Sequence, residues 1–350
     1  MDIIKVGIIG AGNIANCHII AYQKCKDIEV VAVCDINRER AENFARQYSI
    51  THVYDNHLKM FEDETLDAVS VCVWNNGHAP VSIDALENGI HVLCEKPLAT
   101  STELALKMQQ AAEEHGCILM PGFCTRYEDG IQLLKTYMDK KMFGNIYYVK
   151  ATYLRRNGNP GGWFSDMQRS GGGPVIDLGV HVLDLARYIS GGKAISVYAV
   201  TNKMQDVSTT SNAPHISIDS GDIHDVEDFA SALIRMDNNI TIQFETSWNH
   251  HVESDLFQFE VYGTKGGARA YPKVFIMTDM AGEINDFHPL HSIHEENPNY
   301  DFDKEIEHFI NVIRGVEVPI CNAEDGVEIM RITDAIYLSA RERKEIRIER

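Results

Sequence analysis

Three groups differ from the rest of the chain in their setting: an ammonium, an imidazole and a carboxylate. Lys96 lies in Glu95-Lys96-Pro97, directly behind the apolar run His91-Val92-Leu93-Cys94. That order puts a cation at the carboxyl end of a buried strand, the edge where open α/β sheets bind ligands. Taken alone, the Lys-Pro pair is equally a solvated turn. The other two groups lie in Gly171-Gly172-Gly173-Pro174-Val175-Ile176-Asp177-Leu178-Gly179-Val180-His181. Pro174 suits a first helical turn, and Ser190-Gly191-Gly192 suits the end of that helix. Four residues apart, Asp177 and His181 share one helical face, and Asp184 and Tyr188 continue the stripe. The remaining positions are largely apolar, so the stripe is either a satisfied structural network or a site. Gly179 inside the helix costs about 1 kcal/mol against alanine, which makes sense where another element packs closely.

Oxidation of a secondary alcohol removes hydride from carbon and a proton from oxygen. A base near neutral pKa and a cation beside the developing alkoxide both lower that barrier. His181 suits the first task and Lys96 the second; Asp177 either orients the imidazole or holds a substrate hydroxyl. A hydride acceptor is then needed, and the N-terminal sequence provides for one. Gly10-Ala11-Gly12-Asn13-Ile14-Ala15 follows a strand pattern and opens a helix, the context of the dinucleotide fingerprint. Gly10 makes the tight turn, Gly12 lets the backbone approach a pyrophosphate, and the helix N–H groups from Asn13 and Ile14 hold phosphate. Asp35 ends the second strand, where its carboxylate accepts from ribose hydroxyls and repels a 2′-phosphate, so NAD is expected over NADP. Arg38 keeps NADP open, since it either pairs with a 2′-phosphate, lies over adenine or is simply solvated.

The elements that must position these groups follow from hydrophobic rhythm. Apolar runs at Ile3–Ile9, Ile28–Cys34, Asp67–Val73, Ile90–Cys94 and Cys117–Met120 alternate with helical segments, which reads as βαβ units on a parallel sheet. Thr100 with Glu103 predicts a capping box for the helix after Pro97. Beyond Gly122 the rhythm changes: a helix from Arg126 to Lys141 precedes alternating runs such as Ile240–Glu245, expected to be antiparallel strands, and helices at Glu305–Arg314 and Glu324–Ala340 close the chain. The expected division is a dinucleotide-binding domain over 1–123 and a substrate-binding and oligomerisation domain over 124–350.

The 350 residues are 44% hydrophobic with a formal net charge of -19. Such a charge argues against nucleic acid or an anionic membrane as partner. No basic leader or membrane-length apolar stretch is read, and eight cysteines without CxxC pairing fit a reducing compartment, so a cytoplasmic protein is expected.

Jointly, these motifs resemble the glucose-fructose oxidoreductase and inositol dehydrogenase family, Gfo/Idh/MocA. The resemblance spans essentially the whole chain: Gly10 to Ala15, Asp35, Asn75 with His78-Ala79-Pro80, Glu95-Lys96-Pro97, Gly122-Phe123 with Arg126-Tyr127, and Gly171 to His181 with Asp184. It implies an N-terminal Rossmann domain and a C-terminal α/β domain whose large mixed, mainly antiparallel sheet forms a homodimer or homotetramer through its open face. It also implies that Lys96, Asp177 and His181 match catalytic positions, that Asn75 and Glu95 line the nicotinamide side, with His78 among the cofactor contacts, that the peptide before Pro97 is often cis, and that the substrate is a polyol, sugar or sugar derivative. Two departures stand out. Val73-Trp74-Asn75 replaces the common Thr-Pro-Asn, and Cys124 stands where many members carry asparagine.

Substrate contacts are expected from Tyr153 and Arg155 on one strand face and from Trp163 in the glycine-rich loop Gly158–Phe164, where the indole either stacks on a ring or anchors its own loop. Arg126, Arg155 and Arg156 either bind an anionic substituent or are solvated. His288, His291 and His294, spaced by three, lack a second ligand group at metal-site spacing, and no metal is expected. Two alternatives to a dehydrogenase remain at this point: a glycoside hydrolase using NAD for transient oxidation and elimination, and a non-catalytic dinucleotide or sugar sensor.

Overall fold

The computed structural model describes residues 3–203, 223–280, 282–289 and 297–350. They form two compact units, one of residues 1–127 with 294–327 and one of 128–293 with 328–350. The units therefore do not follow a single cut at residue 123. The chain returns to the first unit late, because the helix Tyr300–Ile313 lays Ile306, Phe309 and Ile310 into its interior.

In the first unit the strands are β1 (Ile4–Ile9), β2 (Ile28–Cys34), β3 (His52–Tyr54), β4 (Ala68–Val71), β5 (His91–Glu95) and β6 (Leu119–Gly122). All pair in parallel in the order β3-β2-β1-β4-β5-β6. Helices α1 (Asn13–Tyr22), α2 (Arg38–Tyr48), α3 (His57–Asp63), α4 (Asn75–Glu87) and α5 (Thr102–His115) connect them. This is the doubly wound order with its switch point between β1 and β4. Strand β3 escapes sequence reading because three residues carry no usable alternation. The α5 cap is Ser101, whose hydroxyl accepts from the Leu104 N–H, rather than Thr100. Ser101 is the last residue in extended conformation, and a cap must sit there to turn its oxygen onto the first helical N–H groups.

The second unit begins after a break: a short 3₁₀ turn, Cys124–Tyr127, precedes α6 (Asp129–Asp139), where the sequence predicts one continuous helix. There follow β7 (Ile146–Leu154), α7 (Met167–Ser170), a π-helical turn (Val175–Gly179) running into α8 (Val180–Ser190), and the strands β8 (Ala194–Asn202), β9 (Phe229–Met236), β10 (Thr241–Ser247), β11 (Leu256–Gly263), β12 (Gly266–Arg269), β13 (Phe275–Met280) and β14 (Glu283–Phe287). Helix α9 (Tyr300–Ile313) belongs to the first unit, and α10 (Ala323–Glu342) and β15 (Ile346–Arg347) finish the chain. The nine strands run β14-β13-β12-β11-β7-β10-β9-β8-β15. Every pairing is antiparallel except β7 with β10, so the sheet is mixed and mainly antiparallel, as expected. Ile242 and Phe244 of β10 are buried while Thr241, Gln243 and Glu245 keep exposure, which is the alternation read from the sequence.

Candidate active site

In the first unit the glycine turn leaves β1. Gly10 has φ +95°, and a Cβ there would lie 2.3 Å from the Cys72 carbonyl oxygen, so only glycine fits between the ends of β1 and β4. Gly12 differs: a Cβ built on it meets nothing within 4 Å. It caps α1 with no side-chain hydrogen bond, and the first turn holds no acidic residue. The first N–H groups of α1, at exposed Asn13 and half-buried Ile14, therefore begin a helix whose positive end could take an anion. Asp35 is buried and binds the turn itself, accepting from the N–H of Ala11 at 2.9 Å and of Asn37 at 2.8 Å. Its nearest cation is Arg40, 3.7 Å away. Arg38 is exposed and pairs with Glu42 at 3.0 Å. These residues fit a dinucleotide: an open backbone at Gly12, an uncapped helix and a fixed carboxylate at the end of β2.

Strand β5 ends at Glu95, and the following Lys96–Pro97 peptide is cis. Lys96 is half-buried and donates its backbone N–H to Glu95 Oε2 at 3.1 Å. Glu95 Oε1 meets His18 Nε2 at 3.0 Å; on the other side of that ring, Nδ1 lies 3.0 Å from Ser70 Oγ, itself 2.8 Å from the Tyr22 hydroxyl. Burial opposes ionisation of Glu95, but the hydrogen bond from His18 and the nearby Lys96 ammonium help outweigh it and hold the carboxyl below its ordinary range. Asn75 is buried at the start of α4 behind Trp74, whose ring is partly exposed.

In the second unit, Asp177 and His181 are singled out by exposure. Across the fifteen residues from Gly172 to Ala186, every side chain except these two is buried. Asp184, expected to extend their stripe, is fully buried. The π turn closes with the Val180 N–H reaching Val175 O, five residues back, a bulge common at functional sites. Gly179 is required by close packing, since a Cβ there would stand 2.7 Å from the Phe244 ring. Two residues that the sequence reading missed hold this segment. Glu227 accepts from the N–H groups of Gly173 at 3.0 Å and Val175 at 3.1 Å and from the Tyr337 hydroxyl at 2.9 Å; burial raises its pKa against the pull of these donors. Trp248, fully buried, donates its indole N–H to Asp177 Oδ2 at 2.9 Å. Arg155 donates toward Tyr153 Oη at 3.4 Å and Gly158 O at 3.3 Å. Burial works against its charge, but Tyr153 and Asp177 outweigh that and raise its pKa.

Two family profiles match the chain: residues 4–123 match an oxidoreductase family with an NAD-binding Rossmann fold, and residues 131–269 match the Gfo/Idh/MocA C-terminal domain. The chain belongs to the Gfo/Idh/MocA family. It is 34% identical over 341 residues to the D-glucoside 3-dehydrogenase of Escherichia coli K12, covering 96% of this chain and 95% of that protein. It is 24% identical over 348 residues to the myo-inositol 2-dehydrogenase of Thermotoga maritima, covering 99% and 98%. Among solved structures, levoglucosan dehydrogenase in complex with NADH superposes with a TM-score of 0.87 at 25% identity, covering 99% of each chain. The protein is thus an enzyme, an oxidoreductase of the Gfo/Idh/MocA family with an NAD-binding Rossmann domain.

Within this Gfo/Idh/MocA chain, the structure groups the expected residues into two sets. Gly10, Gly12, Asn13, Ile14 and Asp35 converge at the α1 end, and Tyr153, Arg155 and Asp177 cluster with Trp248 in the second unit. Trp163 stacks on Phe164 at 3.9 Å between centroids, and Phe164 packs against the Trp248 cluster, so the indole also anchors its own loop. Two expected contacts are corrected. Arg126 is 1% exposed and donates to Ile320 O and Asp325, which makes its guanidinium a clamp inside the first unit rather than a substrate contact. His78 is buried with its ring nitrogens 2.7 Å from Pro97 O and 3.1 Å from Val73 O, and burial lowers its pKa; both nitrogens face backbone carbonyls of the first unit rather than an open groove. Arg156 binds Asp255 and Glu253 O. Among the described residues no group of three or more His, Cys, Asp or Glu is arranged to hold a metal, and no helix is long and apolar enough to cross a membrane. His288 lies 3.3 Å from Val274 O, whereas His291 and His294 lie outside the described residues.

Proposed function

We propose that the protein is an NAD-dependent dehydrogenase that oxidises a ring secondary hydroxyl of a sugar, a glucoside or an inositol. The observation that carries the reading is the exposure of Asp177 and His181 alone on an otherwise buried segment. A purely structural pair would be buried with its neighbours, and the named relatives act on sugar and inositol hydroxyls. His181 takes the hydroxyl proton as carbon gives up hydride, and the Lys96 ammonium stabilises the negative charge that develops on that oxygen. Asp177, held by the Trp248 indole, accepts a hydrogen bond from a neighbouring hydroxyl and fixes the ring. When bound, NAD would supply the hydride acceptor in its nicotinamide ring, and Gly12, Asn13 and Ile14 would hold its pyrophosphate.

NAD is preferred because the Asp35 carboxylate, fixed by the N–H groups of Ala11 and Asn37, stands where a 2′-phosphate would lie. Asp35→Ser removes that repulsion and leaves Arg40 and Arg38 for the phosphate, so the ratio of NAD to NADP kcat/KM falls. Assembly as a homodimer or homotetramer through the nine-stranded sheet is supported by its exposed face, where Tyr198 and Leu233 are cross-strand partners with 48% and 50% exposure. The eight cysteines, none in a disulfide, agree with a cytoplasmic enzyme.

The test is NADH formation from methyl glucosides, glucose, levoglucosan, glucose 6-phosphate and myo-inositol, with NADP in parallel. Lys96→Ala and His181→Ala each lose turnover while NADH still binds. Substantial kcat in either variant removes that residue from its role, and failure of the whole panel to reduce NAD overturns the substrate class.

A further inference from the structure

Lys96 owes its place to a buried chain of polar groups rather than to its strand alone. His18 is fully buried on α1, on a face otherwise made of Ala15, Ile19 and Tyr22. An imidazole there is a net loss to packing unless both nitrogens are satisfied, and both are: Ser70 holds Nδ1 and Glu95 holds Nε2. The other Glu95 oxygen receives the Lys96 backbone N–H. The same Ser70 hydroxyl engages Tyr22, one helical turn beyond His18, and the Phe302 ring of α9 covers the imidazole at 5.8 Å. The chain of contacts therefore runs from α1, the helix that the glycine turn opens, through Glu95 to the backbone of Lys96.

Resting on the reading that Lys96 serves the reacting hydroxyl, we propose that His18 is a positioning residue, which holds the Glu95 carboxylate and through it sets the backbone from which the Lys96 ammonium reaches its target. The Nε2–H of His18 donates to Glu95 Oε1, Ser70 supplies the hydrogen bond that keeps this tautomer, and Glu95 Oε2 then fixes the Lys96 N–H. The device also links the cation to the cofactor helix, so that phosphate binding at one end of α1 and the ammonium at the end of β5 share one rigid frame.

The experiment compares His18→Gln, whose amide reaches Glu95 as Nε2 does, with His18→Asn, whose shorter amide reaches only Ser70. Steady-state kinetics use the panel sugar that reduces NAD fastest, with NADH affinity by fluorescence and folding by circular dichroism. His18→Asn lowers kcat on the order of tenfold to a hundredfold, the size expected for a small misplacement of a catalytic group, with KM and NADH affinity little changed. His18→Gln restores most of the rate. In a Lys96→Ala background, His18→Asn has no further effect. Equal rates for the Gln and Asn variants, or an additive loss in the Lys96→Ala background, overturn the proposal while leaving Lys96 catalytic. Unimpaired turnover in Lys96→Ala itself overturns the underlying reading instead. Should His18→Asn fail to fold, Ser70→Ala carries the test, since it frees the ring and keeps the packing: an unchanged kcat counts against the proposal and a fall with constant KM supports it.

Discussion

Helix α1 begins behind Gly12, which gives it no side-chain cap, whereas the segment carrying Asp177 begins behind Gly173-Pro174 with the Glu227 carboxylate on its N–H groups. Both are glycine-led helix starts, and both present the positive end of a run of peptide dipoles. In one the cap residue supplies no side-chain hydrogen bond; in the other a buried side chain of the same protein binds the first N–H groups and locks the backbone. Glycines before a helix therefore do not identify an anion site. The two starts differ in the space at the glycine Cβ: nothing within 4 Å at Gly12, against Glu227 O at 2.1 Å for Gly173.

Substitutions at the two starts should therefore fail in different ways. Gly173→Ala has the largest expected effect, because its methyl meets backbone that cannot yield. A loss of about 3 kcal/mol, or a Tm fall of roughly 6 to 12 °C, is expected in thermal unfolding. A Tm within error of wild type would mean that the loop has slack and that the closed start is not rigid. Glu227→Gln comes next, since an amide nitrogen must then face one of three donors; about 1 to 3 kcal/mol is expected, again read as Tm. Gly12→Ala should leave Tm unchanged yet weaken NADH binding about tenfold, equivalent to about 1.4 kcal/mol. Undiminished affinity in a fluorescence titration would break the contrast at its open end.

The smallest effect is a difference in pH slope. Glu227 has a raised folded pKa, so its contribution to stability is present below the ordinary value of 4.5 and is lost as pH rises through the folded value. Glu95 has a lowered folded pKa, so its contribution is present above 4.5 and is lost as pH falls through the folded value. The Tm gap between wild type and Glu227→Gln should shrink with rising pH, while the gap to Glu95→Gln should widen. Parallel slopes would show that the two carboxylates share one environment.

What could be read from the chain follows the reach of each interaction. The glycine turn and the Lys96 strand end are local patterns, and each is found where its spacing placed it, whereas Asp177 lies in a π-helical turn ahead of the α-helix that carries His181. Their supports are not local. His18 lies 77 residues from Glu95 and 52 from Ser70, Trp248 lies 71 from Asp177, and Glu227 lies 54 from Gly173. None carries a signature in its own stretch of sequence that points to these distant partners. Arg126 and His78 were misread for the complementary reason: motif position says nothing about burial, and both are covered.

From sequence alone, the parallel α/β order, the dinucleotide turn and the residue types suited to hydride and proton transfer were already determined, because backbone conformation, strand alternation and helix spacing are short-range properties. Tertiary structure decided which helix start is open and which is shut, which arginine stands beside Asp35, and which buried partners hold Glu95 and Asp177. Those outcomes depend on desolvation and on distances between segments far apart in the chain, and neither exists until the chain has packed.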